Sequence, residues 1–221
     1  DRLRRAKHRA VTMGENRDTT KTRGMGRVAL LMPAYNAAEW IEAAIVSALG
    51  GSYRQCDLFV VDDASDDGTW DVIRRYADSS RMTALRLRRR RGCAVARNTA
   101  CRLALDRGMC KFIAHQDADD LSDARRIAAQ VDYLRRHPEC DLVTTDAMVL
   151  QGATLRRATW GAMRPARYLS GESGPCCPTV MYRADLYGAI GPFDESLTYG
   201  EDRDWFSRAL VAGHCFGYIG D

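Results

Sequence analysis

The chain has 221 residues, of which 46% are hydrophobic and 28% are charged, and its formal net charge is +4. This length and balance are ordinary for one large globular domain with a buried core. Because no run of about eighteen apolar residues occurs and the first residues lack an apolar core, we expect no transmembrane helix within this segment and no signal peptide at its beginning.

Basic residues are concentrated at the beginning of the chain. They are Arg2, Arg4, Arg5, Lys7, Arg9, Arg17, Lys21, Arg23 and Arg27. A basic arm can bind nucleic acid or anionic lipid, but this one has no interleaved aromatic residues and no binding motif. We therefore interpret residues 1–26 as a flexible solvated tail or a linker to an upstream segment. Since the chain starts with Asp1 and not with Met, we expect a fragment of a longer protein, in which residues 27–221 form a domain that is incomplete at its C-terminal end.

The eight cysteines form no CxxC pair and no evenly spaced framework. Several of them adjoin strand-like runs, where a small buried thiol is common. We therefore expect reduced thiols and a cytoplasmic protein.

The first predicted strand is Val28–Met32, a continuous apolar run that ends at Pro33. Such a run is typical of a strand buried on both faces of a parallel sheet. Asn36 is predicted to cap the following helix, because the apolar residues between positions 40 and 49 fall on one helical face.

The pattern of strand, turn and helix then repeats. Leu58–Val61 is followed by an acidic turn at 62–69 and by a helix that begins at Trp70. Met82–Leu87 is the third predicted strand, and the alanine-rich segment Ala94–Leu105 is the third helix. Alternation of this kind is typical of a parallel sheet whose strands are connected by helices.

The fourth strand, Phe112–Gln116, runs directly into three carboxylates, Asp117, Asp119 and Asp120. Crowded carboxylates repel one another, so we expect a shared cation. Mg²⁺ or Mn²⁺ fits such oxygen ligands and commonly keeps phosphate oxygens as its other ligands. The alternative is an Asp-rich turn that only caps the helix predicted at 124–134.

The last third of the chain is less regular. Leu142–Leu150 is predicted as a fifth strand, 151–175 as an irregular segment or hairpin near the site, and Thr179–Tyr182 as a further strand. A final helix runs from Gly200 to Ala212. The whole pattern predicts an α/β fold with an open, Rossmann-like, mostly parallel sheet, helices on both faces, and ligands bound beyond the carboxyl ends of the strands.

Five motifs between residues 27 and 213 resemble, in order and spacing, those of the family-2 glycosyltransferases, which have the GT-A fold. They are Met32-Pro33-Ala34-Tyr35-Asn36, Val61-Asp62-Asp63-Ala64-Ser65 with Asp67-Gly68-Thr69, Gly92 with Ala96-Arg97-Asn98, Gln116-Asp117-Ala118-Asp119-Asp120, and Gly200-Glu201-Asp202-Arg203-Asp204-Trp205.

The resemblance implies roles on the donor side of the site. Three residues that follow the first strand are expected near uridine: Pro33, Ala34 and Tyr35. Asp63 is expected to bind the base, Asp117 the ribose or the metal shell, and Asp119 the metal directly. Asp117 and Asp119 are the DXD motif, which Asp120 would support from outside. The implied cofactor, Mn²⁺ or Mg²⁺, would stabilise the charge of the diphosphate leaving group.

On the acceptor side, the resemblance makes Asp202 the general base of an inverting displacement, and Glu201 a residue that binds or orients the acceptor. The alternative is that both only occupy the first turn of a helix, where the dipole favours negative side chains.

Three further features have weaker interpretations. The run Arg88–Arg91 is either a solvated face or a group that helps to neutralise the diphosphate. Arg97 and Asn98 are expected to fix the loop beneath the nucleotide. His115 is interpreted as a core residue and is left out of the site.

The resemblance thus implies an enzyme, a metal-dependent hexosyltransferase. It would move a sugar from a nucleotide-diphosphate donor, most commonly a UDP-sugar, to a hydroxyl acceptor such as a growing glycan in polysaccharide biosynthesis. No nucleic acid partner is expected, and the cytoplasmic location includes peripheral association with the inner face of the membrane. The alternatives are a retaining or nucleotidyl transferase on a similar fold, and a non-catalytic module that binds sugar nucleotides.

Overall fold

Strands and helices alternate along the computed structural model, which describes residues 26–108, 110–159, 161, 165–171 and 174–220. Residues 1–25 of the predicted tail lie outside the described residues. The strands are β1 (Arg27–Ala34), β2 (Cys56–Asp62), β3 (Met82–Arg86), β4 (Cys110–His115), β5 (Leu142–Thr145), β6 (Ala147–Gln151), β7 (Thr154–Ala158), β8 (Val180–Arg183) and β9 (Phe216–Ile219). The helices are α1 (Ile41–Leu49), α2 (Thr69–Ile73), α3 (Cys93–Asp106), α4 (Arg126–Arg136), α5 (Pro165–Leu169), α6 (Ala184–Ile190) and α7 (Glu201–Val211). Within these ranges, no helix is long and apolar enough to cross a bilayer.

The central sheet has the strand order β3-β2-β1-β4-β8-β5-β9, and β6 pairs with β7 in a separate two-stranded sheet. The pairs β1–β2, β1–β4, β2–β3 and β5–β9 are parallel, whereas β8 is antiparallel to both of its neighbours. Ala34 pairs with Asp62, and Leu31 pairs with His115, so β1, β2 and β4 end at the same edge. The predicted open, mostly parallel α/β sheet is therefore confirmed.

Helices cover both faces of this sheet, because side chains along a strand point alternately to either side. On β1, Leu30 and Met32 belong to the core cluster that includes α1 and α4. Ala29 and Leu31 belong to the opposite cluster, which includes residues of α3, α6 and α7. The continuous apolar run at the start of the fold is thus a strand buried on both faces, as the sequence predicts.

The predicted fifth strand, Leu142–Leu150, is wrong in its length. β5 ends at Thr145, and the next residue, Asp146, accepts a hydrogen bond from the Tyr218 hydroxyl (2.6 Å) and pairs with Arg157 Nε (3.0 Å). The chain leaves the central sheet at this point and continues as the β6–β7 hairpin. A hairpin was one of the two outcomes predicted for 151–175, but the observed one begins earlier, at Ala147, within the predicted fifth strand. The short helix α6 and the strand β9 were not predicted.

Candidate active site at the carboxyl edge of the sheet

The loop after β1 is held by the loop after β2. Asn36 has a φ of 48°, its Nδ2 donates to Asp66 Oδ1 (2.8 Å), and its Oδ1 accepts from Asp66 N (3.0 Å). The backbone N–H groups of the next two residues donate to Thr69 Oγ1 (2.7 Å) and Asp67 Oδ2 (2.9 Å). The predicted capping role of Asn36 is wrong, because α1 begins only at Ile41 and the Asn36 side chain is bound across the two loops.

Asp63 fixes the loop that leads into α3. Its backbone N donates to Ala34 O (2.8 Å), while Oδ1 accepts from Arg91 N and Oδ2 from Gly92 N, both at 2.7 Å. Gly92 has a φ of 95°, which a residue with a side chain rarely adopts. The predicted contact of Asp63 with the base stays a prediction, and this loop-fixing role was not expected from the sequence.

Replacing Asp63 with alanine should therefore reduce stability as well as nucleotide binding. The change removes two charge-assisted hydrogen bonds, so the free energy of unfolding should fall by about 2–4 kcal/mol in urea denaturation. UDP should be weakened more than inorganic diphosphate in calorimetry, because only UDP has a base. Asp78→Ala, at an exposed position outside these loops, is the control and should change stability by about 1 kcal/mol or less. Equal weakening of UDP and diphosphate would contradict the base contact.

Tyr35 is the exposed member of the three residues predicted near uridine, since Pro33 and Ala34 are buried at the end of β1. The Arg90 guanidinium carbon lies 4.1 Å from the centroid of the Tyr35 ring, a cation–π contact. The side chains of Arg88–Arg91 are exposed. This run therefore places positive charge at the rim of the carboxyl edge, beside Tyr35.

The turn after β4 is shaped by two buried contacts. Gln116 Nε2 donates to the carbonyl oxygens of Asp117 (3.3 Å) and Asp120 (2.9 Å). Arg126, at the start of α4, donates from Nη1 to His115 O (3.1 Å), and burial lowers the pKa of its guanidinium to about 10. The role of Arg126 was not predicted, because nothing in its sequence context marks it as a partner of this turn.

The three carboxylates of this turn repel one another. Burial raises the pKa of Asp117, nearby Arg97 opposes that shift, and the charge of Asp119 adds to it. The pKa of Asp120 is raised to about 6 by burial and then by the charges of Asp117 and Asp119. A cation bound here would relieve this repulsion.

The donor set at this turn fits a divalent cation that takes part of its ligands from a substrate. In the part of the chain that the structure describes, no three His, Cys, Asp or Glu side chains converge as a metal centre made by protein alone. Asp119 is exposed and Asp117 is partly exposed, so both can offer carboxylate oxygens to an ion. Mg²⁺ and Mn²⁺ characteristically use one or two carboxylates and complete their shell with phosphate oxygens.

Arg97 connects this turn to α7. The buried guanidinium donates from Nη2 to Asp117 Oδ1 and from Nε to Glu201 Oε1, both at 3.2 Å, and from Nη1 to Cys177 Sγ at 2.9 Å. These partners come from the turn after β4, from α7 and from the 3₁₀ turn Cys177–Thr179. Arg97 therefore fixes the position of the DXD turn relative to the Glu201–Asp202 pair, a role that the sequence did not predict.

The neighbouring Asn98 binds backbone and side-chain groups near the end of α6, and its predicted role beneath the nucleotide stays a prediction. Its Nδ2 donates to Phe193 O, and its Oδ1 accepts from Phe193 N and the Tyr187 hydroxyl, each at 2.9 Å. Asn98 therefore fixes the turn between α6 and α7.

His115 is fully buried, as the sequence predicts for a core residue. Burial, followed by the charges of Arg97 and Arg126, lowers the pKa of its imidazole well below the usual value, so the ring is neutral.

The helix α7 presents one buried and one accessible carboxylate. Glu201 is buried against Arg97, whereas Asp202 is partly exposed and accepts a hydrogen bond from Arg203 N (2.7 Å). The charge of Asp202 contributes to the raised pKa of both Asp117 and Tyr168. Asp202 therefore lies close enough to the DXD turn to act on it electrostatically, and it is open to a ligand.

Two contacts hold α7 in this position. Trp205 is fully buried, and its Nε1 donates to Gly191 O (2.8 Å). Arg203 Nη2 donates to Tyr168 O (2.5 Å), and its guanidinium lies 4.7 Å from the Tyr168 ring centroid. The helix N-terminus that carries Asp202 is thus attached both to the core and to α5.

The sequence has relatives of known class. Residues 29–190 match the family model described as Glycosyl transferase family 2. A relative from Escherichia coli, the UDP-Glc:alpha-D-GlcNAc-diphosphoundecaprenol beta-1,3-glucosyltransferase WfgD, is 36% identical over 181 residues. That match covers 79% of this chain and 66% of the relative.

Solved structures of low sequence identity share the fold. Residues 1–349 of S. aureus TarS, in complex with UDP-GlcNAc, superpose with a TM-score of 0.73 at 20% identity, covering 88% of this chain and 56% of that TarS chain. The Pyrobaculum calidifontis mannosyltransferase PcManGT, in complex with GDP-Man and Mn²⁺, gives a TM-score of 0.68 at 23% identity over 98% of this chain and 61% of its own. The chain therefore spans less than two thirds of each of these proteins, and the shared architecture is the GT-A fold.

Proposed function

The chain belongs to glycosyl transferase family 2, and we propose that it transfers a sugar from a UDP-sugar to a hydroxyl acceptor by a metal-dependent inverting displacement. The observation that carries this proposal is the Arg97 bridge. It joins Asp117, on the donor side, to Glu201, which precedes the proposed base Asp202. The two halves of a transfer site are thereby held together at one edge of the sheet.

The donor half comprises the residues after β1, β2 and β4. Tyr35 and Asp63 would contact the uridine, with Pro33 and Ala34 forming the buried floor beneath them. The donor is proposed to be linked to UDP because WfgD and TarS carry UDP-Glc and UDP-GlcNAc in their descriptions. The exposed arginines at 88–91 lie at the rim of this half, where they would attract an anionic nucleotide.

Asp119 would bind Mn²⁺ or Mg²⁺ directly, and Asp117 would bind either the ribose or the metal shell. When bound, the ion supplies stabilisation of the negative charge that develops on the diphosphate. PcManGT, which contains Mn²⁺, supports the choice of a divalent ion of this type.

In the acceptor half, the accessible Asp202 carboxylate would take the proton from the acceptor hydroxyl as that oxygen attacks the anomeric carbon. The new bond between the anomeric carbon and the acceptor oxygen forms as the bond to the diphosphate oxygen breaks, and the bonding electrons leave with the diphosphate. Glu201 faces Arg97, so its contribution is proposed to be the positioning of the α7 N-terminus. The β linkage named for WfgD is the product that inversion of an α-linked donor gives.

The acceptor is proposed to be a glycan, either free or carried on a lipid diphosphate as in the description of WfgD. Such an acceptor would be met at the inner face of a membrane, with which the protein would associate peripherally.

A thermal-shift experiment tests the donor and metal assignments. With UDP at about 100 times its Kd in the presence of Mn²⁺, the melting temperature should rise by about 5–10 °C, because ligand binding to the folded state adds about 2.7 kcal/mol. When a chelator replaces Mn²⁺, the rise in melting temperature caused by UDP should be small. Asp119→Asn should lose most of the Mn²⁺-dependent part, whereas Asp132→Asn, exposed on α4, should behave as wild type. Equal UDP stabilisation with Mn²⁺ and with chelator would argue against the metal bridge.

A further inference from the structure

The β6–β7 hairpin exposes apolar side chains that contribute to neither core cluster. Met148, Val149, Leu150 and Leu155 are 57%, 49%, 59% and 59% exposed, respectively. The two strands pair with each other and belong to a sheet separate from the central one. A contiguous exposed apolar patch of this kind usually marks an interaction site, since folding alone gains nothing from it.

The distribution of charge along the hairpin is polarised. From Met148 to Leu155 the eight residues, including the turn, contain no charged side chain, and Arg156 and Arg157 follow directly. Arg157 pairs with Asp146 at the base, whereas the exposed Arg156 stands opposite Val149 in the ladder. The tip from Leu150 to Leu155 is therefore uncharged, and the two arginines lie beneath it, level with Val149 and Met148 in the ladder.

The exposed apolar side chains of the hairpin lie mostly on one face of the ribbon. Leu150 pairs directly with Leu155, and Met148 projects to the same side as these two because alternate residues share a face. Val149 projects to the opposite side, where it is exposed and pairs with Arg156. An uncharged tip that ends at a basic side chain matches a bilayer surface, where an apolar layer lies directly beneath anionic headgroups.

The hairpin also lies at the correct edge of the sheet. β5 is parallel to β4, because β8 is antiparallel to both, so the hairpin leaves the sheet at the carboxyl edge where Asp117 lies. Its base is anchored through Asp146 to Tyr218 and Arg157. A surface touched by the tip would face the same side of the molecule as the proposed transfer site.

We propose that the tip of the β6–β7 hairpin, residues 150–155, inserts into the interface of an anionic lipid bilayer, with Val149 and Arg156 at the level of the phosphate headgroups. The distance fits, since the three residue steps from Ala153 in the turn to Arg156 span roughly 10 Å, and interfacial elements lie about 5–10 Å deep. The charge is complementary, because a basic side chain next to an anionic leaflet is attracted to it while its stem lies along apolar surface. This inference adds a docking surface to the proposed function and fails independently of it.

Flotation of the 221-residue chain with lipid vesicles tests this proposal. The chain should float with vesicles of phosphatidylcholine and phosphatidylglycerol, and less with phosphatidylcholine alone. Leu150→Ser combined with Leu155→Ser should weaken binding by about tenfold or more, since two side chains no longer enter the apolar layer. Arg156→Gln should weaken binding to the anionic vesicles by about fivefold, an effect that added salt reduces. Val211→Ser, at an even more exposed apolar position on α7, is the control and should bind as wild type.

A second measurement is independent of any loss of binding. The Leu150→Trp variant adds a tryptophan at the tip. Brominated phospholipids should quench the tryptophan fluorescence of this variant more strongly than that of the wild type. Unchanged flotation of the double serine variant, or no additional quenching, would overturn the proposal. A wild-type dimer that the double variant converts to a monomer, with neither floating, would instead assign the hairpin to a contact between copies of this chain. Asp202→Asn should float as wild type, which separates this test from that of the transfer mechanism.

Discussion

Replacing Arg97 with methionine should lower the free energy of unfolding by about 3–5 kcal/mol, because Asp117 and Glu201 would lose the cation that they share. Breaking a buried pair from one side is costly since the remaining carboxylate is neither solvated nor paired. Urea denaturation gives this difference directly. Arg102→Met on the same helix is the control, because Arg102 is exposed and its nearest carboxylate oxygen, on Glu195, lies 3.9 Å away. It should cost about 1 kcal/mol or less.

The Arg97→Met variant should also show whether Arg97 positions the reacting groups in addition to stabilising the fold. At a temperature where it remains folded, turnover at saturating donor should fall by about 10² or more, because small misplacements of reacting groups have effects of that size. Combining Arg97→Met with Glu201→Gln should recover part of the stability by removing one unpaired charge, but it should not recover turnover. A folded Arg97→Met variant with wild-type turnover would show that the bridge is structural only.

The strands and motif loops could be predicted because their signals are local. Val28–Met32 and Leu58–Val61 are continuous apolar runs, and a strand buried on both faces requires such a run whatever lies around it. The acidic turns follow these strands directly, so their meeting at one edge follows from parallel topology alone.

The Arg97 bridge could not be predicted in the same way. Its partners, Asp117 and Glu201, are 20 and 104 residues away along the chain. Which arginine forms the bridge depends on how α3 packs against the sheet, and the periodicity of the sequence does not contain that information. The sequence did mark Arg97, through the family motif, but it gave the residue a role at the nucleotide loop.

The end of the fifth strand was predicted wrongly for a different reason. Residues 142–150 are apolar or β-branched except for Asp146, and one polar residue within such a run does not by itself mark the end of a strand. Asp146 interrupts this run. Its effect depends on the hydrogen bond from Tyr218, which lies on β9, a strand that was not predicted. Because the end of β5 at Thr145 was not predicted, the exposure of Leu150 was not predicted either.

Asp202→Asn should leave UDP binding within about twofold of wild type and reduce transfer by about 10² to 10⁴, the usual contribution of a general base. The change keeps the size of the side chain and one acceptor oxygen, so the hydrogen bond from Arg203 N can persist. What it removes is the basicity needed to take a proton from the acceptor hydroxyl. Transfer to a panel of glycan acceptors at saturating UDP-sugar is the assay, and Asp204→Asn in the same helical turn is the matched control.

The competing explanation makes a very different prediction. If Asp202 only interacted with the α7 dipole, asparagine would cost about 0.3–1 kcal/mol of stability, and turnover would hardly change. Asp204→Asn, in the same first turn, also weakens the ion pair with Arg208 (2.9 Å), so it should lose at least as much stability as Asp202→Asn and yet keep its turnover. Near wild-type turnover for Asp202→Asn would rule out the inverting mechanism with this base. A product that retains the anomeric configuration of the donor would then assign the site to a retaining transferase, and the Arg97 bridge to the positioning of a different nucleophile.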